Sequence, residues 1–302
     1  MLSAQLALAD GIIPHVQIQH WTYIGIVFLG PLLALLPATQ YSLLSRPWKT
    51  LALVLVADLV FMLWATLPYV PWGVDESYLV INSHVYRGSD LYRSWLSPPL
   101  PGMGAALFPW HPPLLGLLLR TLTGFLTYKL AERPLGSGGA LLAVWLALTS
   151  THLCDHSSHM LAAPYGAAVL TGFALLAARG DGARTGLLAS IGFLCRWPLG
   201  FLWPLATILA WRRQRFWGVL IATLLFWAPA VLLIWWSQAD PLQAVVDRST
   251  AYTDWSILDA LLFVLQAKIG LGLGLAAMLP AMLGMALVLR SLRQSPELAW
   301  CT

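Results

Sequence analysis

Charge is what this chain has least of. Asp, Glu, Lys and Arg make up only 10% of its 302 residues, against roughly 25% in a soluble domain. With 59% of the residues hydrophobic and a mean hydropathy of +0.72, too few charges remain to cover a water-facing surface. That excludes a soluble globular fold. Cysteine is scarce too: Cys154, Cys195 and Cys301 lie far apart, with no C-x-x-C pair and no zinc spacing, so no disulfide framework is implied. There is no repeat of fixed period and no low-complexity tail. Residues 1–20 lack the basic start and small-residue cleavage site of a signal peptide, so the first span is expected to act as an uncleaved signal anchor. No basic soluble surface is present for nucleic acid, and the net charge of +4 is accounted for by basic loops at one membrane face.

What the chain does have is apolar runs of about 20 residues, the length that crosses a hydrocarbon core as a helix. The expected fold is all-α: a single integral membrane domain over 1–302, a polytopic transmembrane helical bundle of about 7–9 membrane-crossing segments including a helical hairpin. Residues 1–20, with Pro14, His15 and His20, read as an outer arm. Spans are expected near 21–41, 50–70, 105–128, 138–151, 160–178, 216–236 and 269–289. Residues 185–211 are too long for one crossing and are interrupted by Arg196-Trp197-Pro198, which makes them a hairpin with Arg196 at its tip. Outer loops fall at 71–104 and 239–260. This topology puts 11 of the 17 basic residues on one side: 46, 49, 129, 133, 179, 184, 212, 213, 215, 290 and 293. By the positive-inside rule that side is cytoplasmic. Asp10, Asp75, Glu76, Asp90, Asp155, Asp240, Asp247, Asp254 and Asp259 fall on the other.

The loop after the second span is the densest run of ionisable and aromatic side chains: Asp75-Glu76-Ser77-Tyr78, Tyr86-Arg87-Gly88-Ser89-Asp90-Leu91-Tyr92-Arg93, then Phe108-Pro109-Trp110-His111-Pro112-Pro113. An Asp just outside a span, a Tyr soon after, a Gly88-x-x-Leu91-Tyr92 turn and His111-Pro112-Pro113-Leu114 opening the next helix together resemble the first outer loop of the GT-C superfamily. The likeness extends over about residues 50–260, with Arg196-Trp197-Pro198 and the Arg212-Arg213-Gln214-Arg215 cluster matching a hairpin and a cytoplasmic basic cluster.

The resemblance implies a mannosyltransferase-like membrane glycosyltransferase of a prokaryotic cytoplasmic (inner) membrane. It would take sugar from a polyprenyl-phosphate donor and pass it to a lipid or glycan acceptor on the outer face. Asp75 and Glu76 are the implied catalytic carboxylates, and Arg87, Asp90, Tyr92, His111, Arg196 and Arg248 the implied substrate-binding residues. The chemistry needs a carboxylate within hydrogen-bond reach of the acceptor hydroxyl and fixed positive charge for the leaving phosphate.

A second resemblance covers residues 20–80. His20-Trp21-Thr22-Tyr23, Arg46-Pro47-Trp48-Lys49, Ala57-Asp58, Trp64 and Trp72-Gly73 look like one repeat of the membrane lycopene cyclases, but the Pro-Leu-Glu-Glu motif of that family does not follow. Two alternatives to the transferase stand: first, because the chain is small and hydrophobic with few soluble residues, a non-catalytic accessory subunit packed in a larger photosynthetic or respiratory membrane complex, and second a carotenoid-modifying protein related to these cyclases.

His152, Asp155, His156 and His159 recur at helical spacing at the outer end of the fourth span. On a continuous helix that spacing presents a divalent-metal face; a turn there leaves a polar loop or a donor-phosphate contact. Asp58 lies within a span, where an ionisable side chain costs roughly 2.5–3.5 kcal/mol at the centre, so it is expected to pair with Arg120 or Arg196. The Trp and Tyr residues read mainly as interfacial anchors, with Trp95, Trp110 and Trp255 available to stack on a sugar. Arg212–Arg215 reads as a topology determinant touching lipid headgroups.

Overall fold

A computed structural model describes residues 46–67, 83–88, 98–149, 153 and 163–243. The outer arm, the expected spans near 21–41 and 269–289, and Asp75, Glu76, Asp90, Tyr92, Arg248, His152, Asp155, His156 and His159 lie outside them.

The described chain is all-helical. α1 spans Pro47–Ala65, α2 Pro99–Leu107, α3 Leu114–Leu148, α4 Ala163–Arg179, α5 Gly182–Cys195 and α6 Leu202–Ser237, with a 3-10 turn at Trp197–Phe201 before α6. Prolines set several starts. Pro47 and Pro99 occupy first-turn positions, where the missing N–H costs nothing. Residues 99–104 of α2 fall in the expected outer loop 71–104, and their Pro-Leu-Pro-Gly-Met-Gly sequence is poor in helix formers. The segment is helical because its prolines fall in the first turn, and it stops at Phe108, where Pro109 disfavours helix for the preceding residue. The expected span near 105–128 therefore begins only at Leu114.

α3 and α6 each double back. In α3 the reversal is at Gly136 (φ 68°, ψ 175°), a conformation open to glycine at little cost. The returning arm, 137–148, packs Leu148 against Gly124. In α6 it is at Arg215 (φ 54°, ψ −140°), after which Trp203 on the first arm meets Phe226 and Trp227 on the second at 5.7 and 5.5 Å between ring centroids. α4 closes on Gly180 (φ 75°), with the Asp181 N–H reaching back to the Leu176 carbonyl. Asp181 then caps α5, its carboxylate accepting from the Arg184 N–H at 3.3 Å.

Side-chain register gives the directions. α1 runs against the first arm of α3, since Trp48 meets Tyr128, Asp58 meets Arg120 and Thr66 meets His111. α4 runs with that arm, Gly116 lying by Pro164 and Gly172 by Leu126, and against α5, Gly172 lying by Leu188 and Gly192 by Val169. α5 and the first arm of α6 form a hairpin, with Gly182 against the Ala210 backbone and Gly192 against Leu199. The chain turns at Arg196, where the sequence places the tip.

The bundle therefore has two distinct ends. One, the head, gathers Thr66, the 108–113 turn, the start of α4, the 196–201 turn and the end of α6, and the Tyr86–Trp236 stack at 5.7 Å brings 83–88 there too. The other gathers Arg46, Lys49, Lys129, Arg133, Arg179, Arg184, Arg212, Arg213 and Arg215, which are nine of the 12 Lys and Arg among the described residues.

Two cores hold the bundle: Leu51, Leu55, Tyr128, Ala140, Val144 and Leu148 between α1 and α3, and an Ala- and Phe-rich cluster around Phe173, Ala206 and Phe226 among α4, α5 and α6. Leu53, Val56 and Val60 on α1, and Val231 and Leu232 on α6, face outward. Pro47–Ala65, Leu114–Leu148 and Gln214–Ser237 are long and apolar enough to cross a membrane, and Gly182–Cys195 is a shorter apolar helix. This supports a membrane protein; the expected 7–9 crossings are a finer statement than these three helices carry.

Candidate functional site

The head is built around His111. The residue sits in a rigid turn: its N–H donates to the Phe108 carbonyl at 3.0 Å, and its carbonyl accepts from the Leu114 N–H at 2.9 Å. Its side chain is 1% exposed. The partner of Nε2 is the Thr66 hydroxyl at 3.1 Å. That hydroxyl has one proton, and it lies 2.8 Å from the Met62 carbonyl and 3.2 Å from the Leu63 carbonyl. With the proton directed at those acceptors, Thr66 receives from His111, so Nε2 carries the imidazole hydrogen. Nδ1 is then a bare lone pair, buried and without a partner among the described residues. Burial holds the imidazole below its ordinary pKa, which keeps it neutral. A neutral imidazole with a fixed tautomer accepts a hydrogen bond from a hydroxyl at a defined position. The exposed Trp110 ring lies nearly parallel to it, 6.1 Å away.

Tyr165, near the start of α4, supplies a second unsatisfied group. Its hydroxyl is buried with no partner among the described residues and presses on α2 at Gly104, where a Cβ would stand 2.7 Å from the oxygen. Cys195, buried and unbridged, ends α5 at the same level. The remaining unpartnered buried atoms among the described residues, Ser190 Oγ and Trp203 Nε1, also lie toward the head. Buried polar atoms are nearly always paired, so their concentration in this half of the bundle is the main feature that the sequence did not reveal. Neither Tyr165 nor Thr66 belongs to a motif; the Pro-Tyr opening of α4 is the sole hint in the sequence.

Arg196 is exposed, its backbone extended between α5 and the 3-10 turn, and its guanidinium has no partner among the described residues. Arg87, also exposed, donates to the Ser83 carbonyl at 3.3 Å and to His84 at 2.8 Å, so its charge is oriented by its own turn. Arg87, His111 and Arg196 thus share one end of the bundle, and no hydrogen bond joins them.

Arg120 is used differently. Its Nε and one Nη donate to the two Asp58 oxygens at 2.9 and 2.7 Å, and the same Nη donates to the Leu148 carbonyl at the end of α3. With Arg120 at 2% and Asp58 at 15% exposure, this is a buried clasp joining α1 to both arms of α3. Arg120 rather than Arg196 is the partner of Asp58.

Among the described residues no group of three or more His, Cys, Asp or Glu is placed to hold a metal ion. Comparison of the chain with protein-family models, with curated proteins and with solved structures gives no match.

Proposed function

We propose that the protein is a multi-pass glycosyltransferase of a prokaryotic cytoplasmic membrane, moving a sugar from a polyprenyl-phosphate donor to a lipid or glycan acceptor at the head of the bundle. The observation that carries this reading is the polarity of the bundle. Nine cations crowd one end, which by the positive-inside rule supports reading that end as cytoplasmic. The opposite end holds an Arg196 with no partner among the described residues, an oriented Arg87 and a neutral buried His111 whose Nδ1 has none among them either.

In this reading the Asp75 carboxylate, with Glu76 beside it, takes the proton of the acceptor hydroxyl as its oxygen attacks the anomeric carbon. The bond from that carbon to the phosphate oxygen breaks, its electron pair leaves on the phosphate, and Arg196, with Arg87 and Arg248, balances the charge. Asp90, Tyr92 and His111 take the sugar hydroxyls, and Trp110 offers a stacking face. The His152, Asp155, His156 and His159 set remains the candidate for a divalent metal.

The test is transfer from a synthetic polyprenyl-phosphate hexose by the purified protein. Asp75→Asn is expected to lose about 100-fold or more of the rate while inserting normally. Undiminished transfer by that variant would strip Asp75 of its role. A chain that transfers nothing and purifies only with other chains would be an accessory subunit instead.

A further inference from the structure

The turn between the two arms of α6 carries three cations in four residues, Arg212, Arg213 and Arg215, and no acidic residue occurs anywhere between Asp181 and Asp240. The acids that lie at this end among the described residues are already engaged. Asp181 holds Arg184 at 3.2 Å, and Glu132 holds Lys129 at 3.3 Å and the Tyr128 hydroxyl at 3.2 Å. Arg215 is exposed, and its guanidinium has no partner among the described residues. On either side stand Trp211, Phe216 and Trp217, at 59, 63 and 69% exposure. That pairing of large aromatic rings with cations is the side-chain chemistry of a membrane interface.

The backbone adds an independent point. Arg215 has φ 54° and ψ −140°, a region that glycine enters freely and other residues enter under strain. The equivalent reversal in α3 uses Gly136. At Arg215 a long cationic side chain occupies a position whose geometry favours glycine, which points to a use for the charge.

We infer that the Trp211–Trp217 turn is a binding site for the headgroups of anionic phospholipids in the cytoplasmic leaflet, with Arg215 as its main phosphate contact. The aromatic rings lie at the headgroup level and the guanidinium takes the phosphate oxygens. Complementary charge selects anionic over zwitterionic lipid, each cation near the surface contributing about a fivefold preference. This inference does not depend on what the head of the bundle catalyses.

The full chain in nanodiscs provides the test, by melting temperature and by the lipid that exchanges into the annulus, in phosphatidylcholine with and without phosphatidylglycerol. The unmodified protein is expected to enrich phosphatidylglycerol and to melt higher with it, and Arg215→Lys to keep most of both effects. Arg215→Gly is expected to melt about 2–4 °C higher in phosphatidylcholine alone, because the strain is relieved, yet to lose about fivefold in preference for phosphatidylglycerol. An unchanged preference in Arg215→Gly would overturn the proposal, as would an absence of preference in the unmodified protein. Stabilisation by inorganic phosphate equal to that by the lipid would assign the site to a soluble anion, and no rise in melting temperature on Arg215→Gly would remove the charge-for-strain reasoning.

Discussion

Two side chains show how much hydrogen bonding decides inside this bundle. Asp58 was legible as an intramembrane carboxylate in need of a cation, because its position within an apolar run makes an unpaired charge costly. Which cation was not legible, since the choice between Arg120 and Arg196 depends on the antiparallel register of α1 and α3. Once that register sets Trp48 against Tyr128 and Thr66 against His111, Arg120 is the residue level with Asp58. Removing one partner strands the other charge in a low-dielectric interior. Asp58→Asn is therefore expected to destabilise the bundle by about 3–5 kcal/mol, with Arg120 and the Leu148 carbonyl losing their shared clasp. Asp58→Asn combined with Arg120→Met leaves no buried charge and is expected to recover a good part of that loss. Thermal unfolding in one detergent, compared across the two single variants and the double, checks this. A double variant that loses the sum of the two single losses would mean that the pair is not coupled.

At the level of helices, close approach is governed by glycine. α5 lies against both arms of α6, and it does so with Gly182 over the Ala210 backbone and Gly186 over the Ala222 carbonyl. A Cβ at either position would meet main-chain atoms rather than a flexible side-chain tip, so neither helix can yield by a rotamer change. Gly186→Ala is expected to cost about 1–3 kcal/mol by overpacking, despite the gain in helix propensity. Gly166→Ala, whose Cβ would find Leu199 at an ordinary 3.5 Å, should be close to neutral. Unfolding of the two variants side by side separates the effects, and equal stability would show that α5 and α6 are not held in backbone contact. The hairpin itself was readable from Arg196-Trp197-Pro198 within a run too long for one crossing. α2 was not, because proline and glycine weaken any helical signal and only their places in the first turn and against Tyr165 make the segment helical.

For the whole molecule, the basic residues carried the most legible information. Sidedness follows from where Lys and Arg fall between apolar runs, and that is a property of order along the chain that needs no tertiary contact. All nine described cations assigned to one face do gather at one end of the bundle. The head was less legible: its buried His111 and Tyr165 depend on contacts between α1, α2, α3 and α4 that no local pattern announces. Orientation in the membrane then has a direct consequence. Gln214 is exposed at the basic end and Trp110 is exposed at the head. In a chain whose cysteines are replaced by serine, Trp110→Cys is expected to react with a membrane-impermeant maleimide in intact cells. Gln214→Cys is expected to react only after permeabilisation. Labelling in the opposite order would invert the bundle, placing the head and Arg196 in the cytoplasm, where an outer-face transferase could not work. Labelling of both sites in intact cells would show that the two ends do not lie on opposite faces of a membrane.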